Sequence, residues 1–230
     1  MKTILSPTYL SLETDLPMYV AVSLAHSYQT EVILLHLLNS PTIRNDSSGQ
    51  LCAISGQAVE LLVIVSPAVT LLDIFLTNIS VDVFVPYAHC SVLFTKTLPI
   101  YSPPKNVLLA VDVDDRRKSN QAFPFTLNKQ GVRQFLYVMP PTDYRDAEEV
   151  VEVCSWVNDF ACAKGISDFS FAIHPAQYVA KNILLRAEAL QADLIVLFDY
   201  GSGQIAHRRW GSVIKDVLAQ AQIPVLIMQG

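Results

Sequence analysis

Five short apolar runs recur in the same order along this chain. Lys2-Thr3-Ile4-Leu5-Ser6-Pro7-Thr8 resembles Lys105-Asn106-Val107-Leu108-Leu109-Ala110-Val111 at an offset of 103, and Val32–Leu37 resembles Arg133–Val138 at 101. Leu62–Pro67 aligns with Ser170–Pro175 at about 108, Val81–Val85 with Ala192–Val196 at 111, and Leu98-Pro99-Ile100 with Ile223-Pro224-Val225 at 125. Their common order and slowly drifting offset indicate two diverged copies of one unit. The seam falls at Ser102-Pro103-Pro104, where prolines make a stiff, extended link. This reading sets a first domain over 1–102 and a second over 105–230.

Each copy reads as strands alternating with helices. The strand runs are short, nearly unbroken stretches of Val, Ile, Leu and Phe, as expected where both faces of a parallel sheet are covered. A helix is predicted over Asp15–Tyr28, after a cap at Thr14 and with Pro17 in its first turn, where a missing N–H costs little. A second is predicted over Asp143–Lys164. It opens with Asp143, Asp146, Glu148 and Glu149, sets Val150, Val153, Val157 and Phe160 on one face, and stops at Gly165. Ala176–Leu190 and Ser212–Ala221 complete the second copy, so each half is expected to form an open, mostly parallel α/β sheet flanked by helices.

Composition narrows the class. The chain is 51% hydrophobic and 16% charged, which excludes disordered, collagen-like and low-complexity proteins. A formal net charge of −5 argues against a surface that neutralises nucleic-acid phosphates. The most apolar window, Ala58–Ile79, contains Glu60 and Asp73 and is divided by Pro67, so it reads as strand, turn and helix rather than as a membrane span. No signal peptide is read at the start, and a soluble, cytoplasmic protein is expected. Cys52, Cys90, Cys154 and Cys162 show no C-x-x-C spacing and are expected to be small core residues in a reducing compartment.

The chemistry concentrates in 192–229. An apolar strand runs into a loop with Gly201 and Gly203, then into Gly211-Ser212 and a helix. Glycines let backbone N–H groups approach phosphate oxygens, and a helix N-terminus adds partial positive charge. Ser212 offers a hydroxyl, and His207, Arg208 and Arg209 offer charge. The same residues also fit a plain turn, with Ser212 as a helix cap and the arginines solvated.

At this point the sequence resembles the universal stress protein family, whose members carry a G-x2-G-x9-G-[ST] motif followed by a helix and a last strand containing P-V-L. Gly201, the nine residues 202–210, Gly211 and Ser212 fit the second part of that motif. Asp193-Leu194-Ile195-Val196 fits the preceding strand, and Pro224-Val225-Leu226-Ile227 the last one. The resemblance implies two tandem adenine-nucleotide α-hydrolase-like units, each a five-stranded sheet of order 3-2-1-4-5, forming an internal pseudo-dimer, with further homodimerisation left open. It implies a non-catalytic stress-response or regulatory protein that binds one ATP or other adenine nucleotide weakly, with magnesium, in the second domain. Asp112 and Val113 would meet the adenosine end, and Gly201, Gly211, Ser212 and Val213 the phosphates.

The departures from the motif are specific. Its first glycine falls on Phe198, putting a large side chain where the family brings backbone close to ligand. In the first half Tyr9 takes the place of the aspartate. Only 12 residues lie between Pro86 and Pro99, against 26 between Leu197 and Pro224, so that half is expected to be truncated and to lack the phosphate loop. Pro124 interrupts the helix expected after the first strand of the second half, and His174 is expected in a loop after the third. Asp112, Asp114 and Asp115 fit either a magnesium site or an exposed turn. The alternative function is a nucleotide-free scaffold or protein-interaction module. An adenylate-forming or pyrophosphatase-like enzyme is the weakest reading, because no serine-glycine signature follows the first strand.

Overall fold

A computed structural model describes residues 3–8, 15–29, 31–36, 61–65, 90–96, 104–111, 123–124, 130–139, 147–199 and 206–229. The chain divides into two compact units between Pro103 and Pro104, with the short stretch Pro124–Thr126 joining the first.

In the first unit, β1 (Thr3–Thr8), α1 (Asp15–Tyr28), β2 (Glu31–His36), β3 (Leu61–Val65) and β4 (Ser91–Thr95) follow in order. The strands pair in parallel as β2-β1-β3-β4. Helix α1 has the predicted bounds and rests on β1, β2 and β3. Ile4, Ala21, Leu24, Leu61, Val63 and Leu93 are fully buried and form the core.

The second unit contains β5 (Val107–Val111), β6 (Arg133–Met139), α2 (Ala147–Ala163), β7 (Phe169–Pro175), α3 (Val179–Ala189), β8 (Leu194–Asp199), α4 (Ala206–Gln220) and β9 (Val225–Gln229). All its pairings are parallel, and the order is β9-β8-β5-β6-β7. Counted within the unit this is the expected 3-2-1-4-5. Phe135 of β6 meets Phe160 of α2 edge-on at 6.0 Å. Its neighbour Gln134 instead accepts a hydrogen bond from Arg186 of α3. Successive strand residues point to opposite faces, so α2 and α3 cover opposite faces of the sheet. Helix α4 packs beside α3 and on β8.

The helix ends follow local chemistry. Gly165 has φ +65°, its N–H donates to Cys162 O at 3.1 Å, and the Ile166 N–H donates to Ala161 O at 2.8 Å. This is a Schellman closure, and it explains the stop read at Gly165. Helix α3 ends the same way through Gln191 (φ 49°), with N–H groups of Gln191 and Ala192 reaching Glu188 O and Ala187 O. Helix α3 is shorter than the predicted Ala176–Leu190. Asp143 and Asp146 of the predicted acidic opening lie outside the described residues.

Strand registers correct part of the repeat alignment. Ile4 faces Val32 and Leu61, and Val107 faces Arg133 and Leu194. The first two matches therefore align equivalent residues, but Leu61–Val65 occupies the place of β8, not of β7. Likewise Val92 pairs with Leu62 as Val225 pairs with Ile195, so β4 is the equivalent of β9. Twenty-four residues (37–60) join β2 to β3, where 54 (140–193) join β6 to β8. The segments after β3 (66–90) and after β8 (200–224) are both 25 residues long. The first unit is thus shortened before its strand β3, while the segments that follow β3 and β8 are equal in length. Val81–Val85 and Leu98–Ile100 lie outside the described residues.

Candidate functional site

Strands β5 and β8 are parallel neighbours, with Val107, Leu108 and Leu109 facing Leu194, Ile195 and Val196. The chain leaves β5 toward β6 on one side and leaves β8 toward β9 on the other. Their carboxyl ends therefore form a topological switch point, where open α/β sheets leave a crevice. Asp112 and Val113 directly follow Val111, and Gly201 follows Asp199 by two residues. Asp112, Val113 and Gly201 themselves lie outside the described residues, as do Asp114 and Asp115.

Helix α4 begins at Ala206, earlier than the predicted Ser212. Gly211, Ser212 and Val213 lie within the helix, and Ser212 is not its cap. The backbone N–H groups without an intrahelical partner belong to the helix start, which includes Ala206, His207 and Arg208. The first turn contains no acidic residue, so the electropositive end of α4 precedes the G-S pair by about one turn. Val213 is half-buried.

Phe198 does not face a ligand crevice. It lies within β8, is 2% exposed, and stands edge-on to Phe160 at 5.4 Å and to Trp156 at 6.2 Å, both on α2. A side chain expected to obstruct the site is a core residue on the α2 face. His174 also departs from expectation, being an exposed residue of strand β7 rather than of a loop. Pro124 is buried. Among the cysteines, Cys90 is buried as expected, Cys154 is half-buried and Cys162 is exposed, while Cys52 lies outside the described residues.

Among the described residues no group of three or more His, Cys, Asp or Glu is placed to hold a metal ion, and no helix is long and apolar enough to cross a membrane. The sequence reading passes over the buried polar pair Arg133 and Gln134, which are 4% and 6% exposed at the start of β6. Two polar residues opening an otherwise apolar strand are the signal that could have found them. Arg133 Nη1 donates to Ser167 O at 3.0 Å.

Fold and switch point define a parallel α/β protein with a five-stranded open-sheet unit. Residues 176–229, from the end of β7 to β9, match the model of the universal stress protein family. The structure of a universal stress protein from Archaeoglobus fulgidus DSM 4304 is similar over 99% of this chain and 96% of its own, with 14% identity and a TM-score of 0.61. A functionally unknown protein from Pseudomonas aeruginosa PAO1 is similar over 100% of this chain and 92% of its own, with 15% identity and a TM-score of 0.60. At these identities the likeness concerns fold. No curated protein sequence matches the chain. The chain is universal stress protein-like, by sequence in 176–229 and by fold along its length.

Proposed function

We propose that this protein is a non-catalytic stress-response or regulatory protein that binds one adenine nucleotide in its second unit. The observation that carries this reading is the adjacency of β5 and β8. It sends Asp112 and Val113, and the segment with Gly201, away from neighbouring strand ends at one switch point. Asp112 and Val113 take the adenosine end. Gly201 and the first turn of α4, with its free N–H groups and the charges of His207, Arg208 and Arg209, take the phosphates. Gly211, Ser212 and Val213, which the family motif assigns to the phosphates, follow a turn later and support that end. Magnesium bound with a triphosphate would offset its charge. No nucleotide site is proposed in the first unit.

The position of Gly211 and Ser212 within α4 favours one other reading, a nucleotide-free interaction module, because helical N–H groups are already engaged. Isothermal titration of the full chain with ATP and magnesium, with AMP in parallel, separates the two. Saturable binding at one site per chain supports the nucleotide site. No binding up to millimolar concentration overturns it.

A further inference from the structure

A second feature of the same unit lies away from the switch point, between α3 and the outer strand β7. Here a groove of about 400 Å³ has Leu136, Ala172 and Leu185 as apolar walls, and His174, Asn182 and Arg186 as polar groups. Leu185 is a large apolar side chain left 52% exposed. Among the described residues no carboxylate lines the groove.

Arg186 is held from beneath. Its Nε donates to Gln134 Oε1, and Gln134 in turn donates through Nε2 to Ser170 Oγ at 3.0 Å. Gln134 is 6% exposed, so a buried amide fixes one edge of the guanidinium. The terminal nitrogens Nη1 and Nη2 of Arg186 make no hydrogen bond or ion pair among the described residues. A guanidinium held in this way is pre-organised to take a carboxylate through two parallel N–H donors. A neutral apolar molecule would leave that charge uncovered, and a bare anion would leave the Leu185 side chain in water. Convergent polar groups in a largely apolar concavity of this size are the usual form of a small-molecule site.

We propose that the groove between α3 and β7 is a binding site for a small carboxylate with an apolar body, anchored by Arg186. It is independent of the nucleotide reading and shares none of its residues.

The test uses ligand-observed saturation-transfer NMR on the full chain, with hexanoate as the probe and hexan-1-ol and inorganic phosphate as controls. Saturable hexanoate binding is expected, weakened at least ten-fold in Arg186→Met, with neither control binding comparably. Leu185→Glu, an exposed position whose new carboxylate repels the probe, is expected to weaken hexanoate to a similar degree. Both variants should keep the parent's thermal unfolding midpoint within a few degrees; if Arg186→Met fails to fold, Leu185→Glu decides. Equal hexanoate affinity in the folded variants, hexan-1-ol or phosphate binding as well as hexanoate, or no hexanoate binding at tens of millimolar would overturn the proposal. A short peptide ending in an apolar residue, compared with its amidated form, then distinguishes a free acid from a chain terminus as the source of the carboxylate.

Discussion

The ring of Phe198 stands edge-on to the ring of Phe160, with centroids 5.4 Å apart and planes at 86°. Phe160 also meets Phe135 at 6.0 Å and Trp156 at 5.3 Å, so one α2 residue joins β8 to β6 through an aromatic cluster. Such edge-on pairs contribute about 0.5–1.5 kcal/mol beyond the area they bury.

Replacing Phe198 therefore acts on the core. Phe198→Ala is expected to destabilise the protein by about 3–5 kcal/mol, the usual cost of emptying a buried aromatic site. Nucleotide affinity of the folded fraction should not rise. Urea unfolding and titration with ATP check the two halves of this expectation. An unchanged unfolding midpoint, or tighter nucleotide binding, would return Phe198 to the site.

Two glycines separate space from conformation. A Cβ on Gly131 would lie 1.7 Å from the Lys105 carbonyl oxygen, a backbone atom. Gly131→Ala must therefore displace the approach of the chain into β6 and is expected to cost about 3 kcal/mol or more. A Cβ on Gly165 would meet nothing within 4 Å, but its φ of +65° is left-handed. Gly165→Ala should cost only about 1–2 kcal/mol, and Gln191→Gly at the corresponding end of α3 should gain about 1 kcal/mol. Denaturant melts of the three variants test the ranking.

The lower ends of β5 and β8 are tied by a different device. The Asp193 carboxylate accepts N–H bonds from Lys105 at 3.0 Å and Asn106 at 2.8 Å. The Asn106 amide donates to Leu190 O and Gln191 O and accepts from the Val132 N–H. Asp193→Ala leaves two backbone donors without their charged acceptor and is expected to cost about 1.5–3 kcal/mol. Hydrogen exchange at Lys105 and Asn106 should quicken, which a purely global loss of stability would not confine to those two amides.

What the sequence revealed depended on scale. The β5 and β6 repeats aligned correctly because their apolar runs share a register with β1 and β2. The third match failed because Leu62–Val65 resembles several strands equally: any buried parallel strand is a run of Val, Ile and Leu. Only pairing distinguishes LLVIV as the partner of β1 from a third strand. The stop at Gly165 was legible because a left-handed residue needs glycine there. The start of α4 was not, because residues 206–211 (AHRRWG) offer no cap and the G-S pair resembles one. Arg186 remained hidden because its partner Gln134 is remote in sequence by 52 residues.

The phosphate end can be located by contrasting two glycines of the motif. Gly201 follows β8 by two residues in sequence, whereas Gly211 sits within α4, where its N–H belongs to the helix. In the proposed site a branched side chain at 201 would occupy the space that backbone and phosphate share, so Gly201→Val is expected to weaken ATP at least ten-fold. Gly211→Ala should leave affinity within about two-fold, because alanine favours the helix by about 1 kcal/mol and removes no free donor. Arg208→Gln, in the first turn, should weaken ATP more than AMP, since its charge would act on the outer phosphates. Titration of the three variants with both nucleotides reads these differences directly. Loss of binding in Gly211→Ala with no effect of Gly201→Val would move the phosphates one turn into α4, to the place the family motif assigns them.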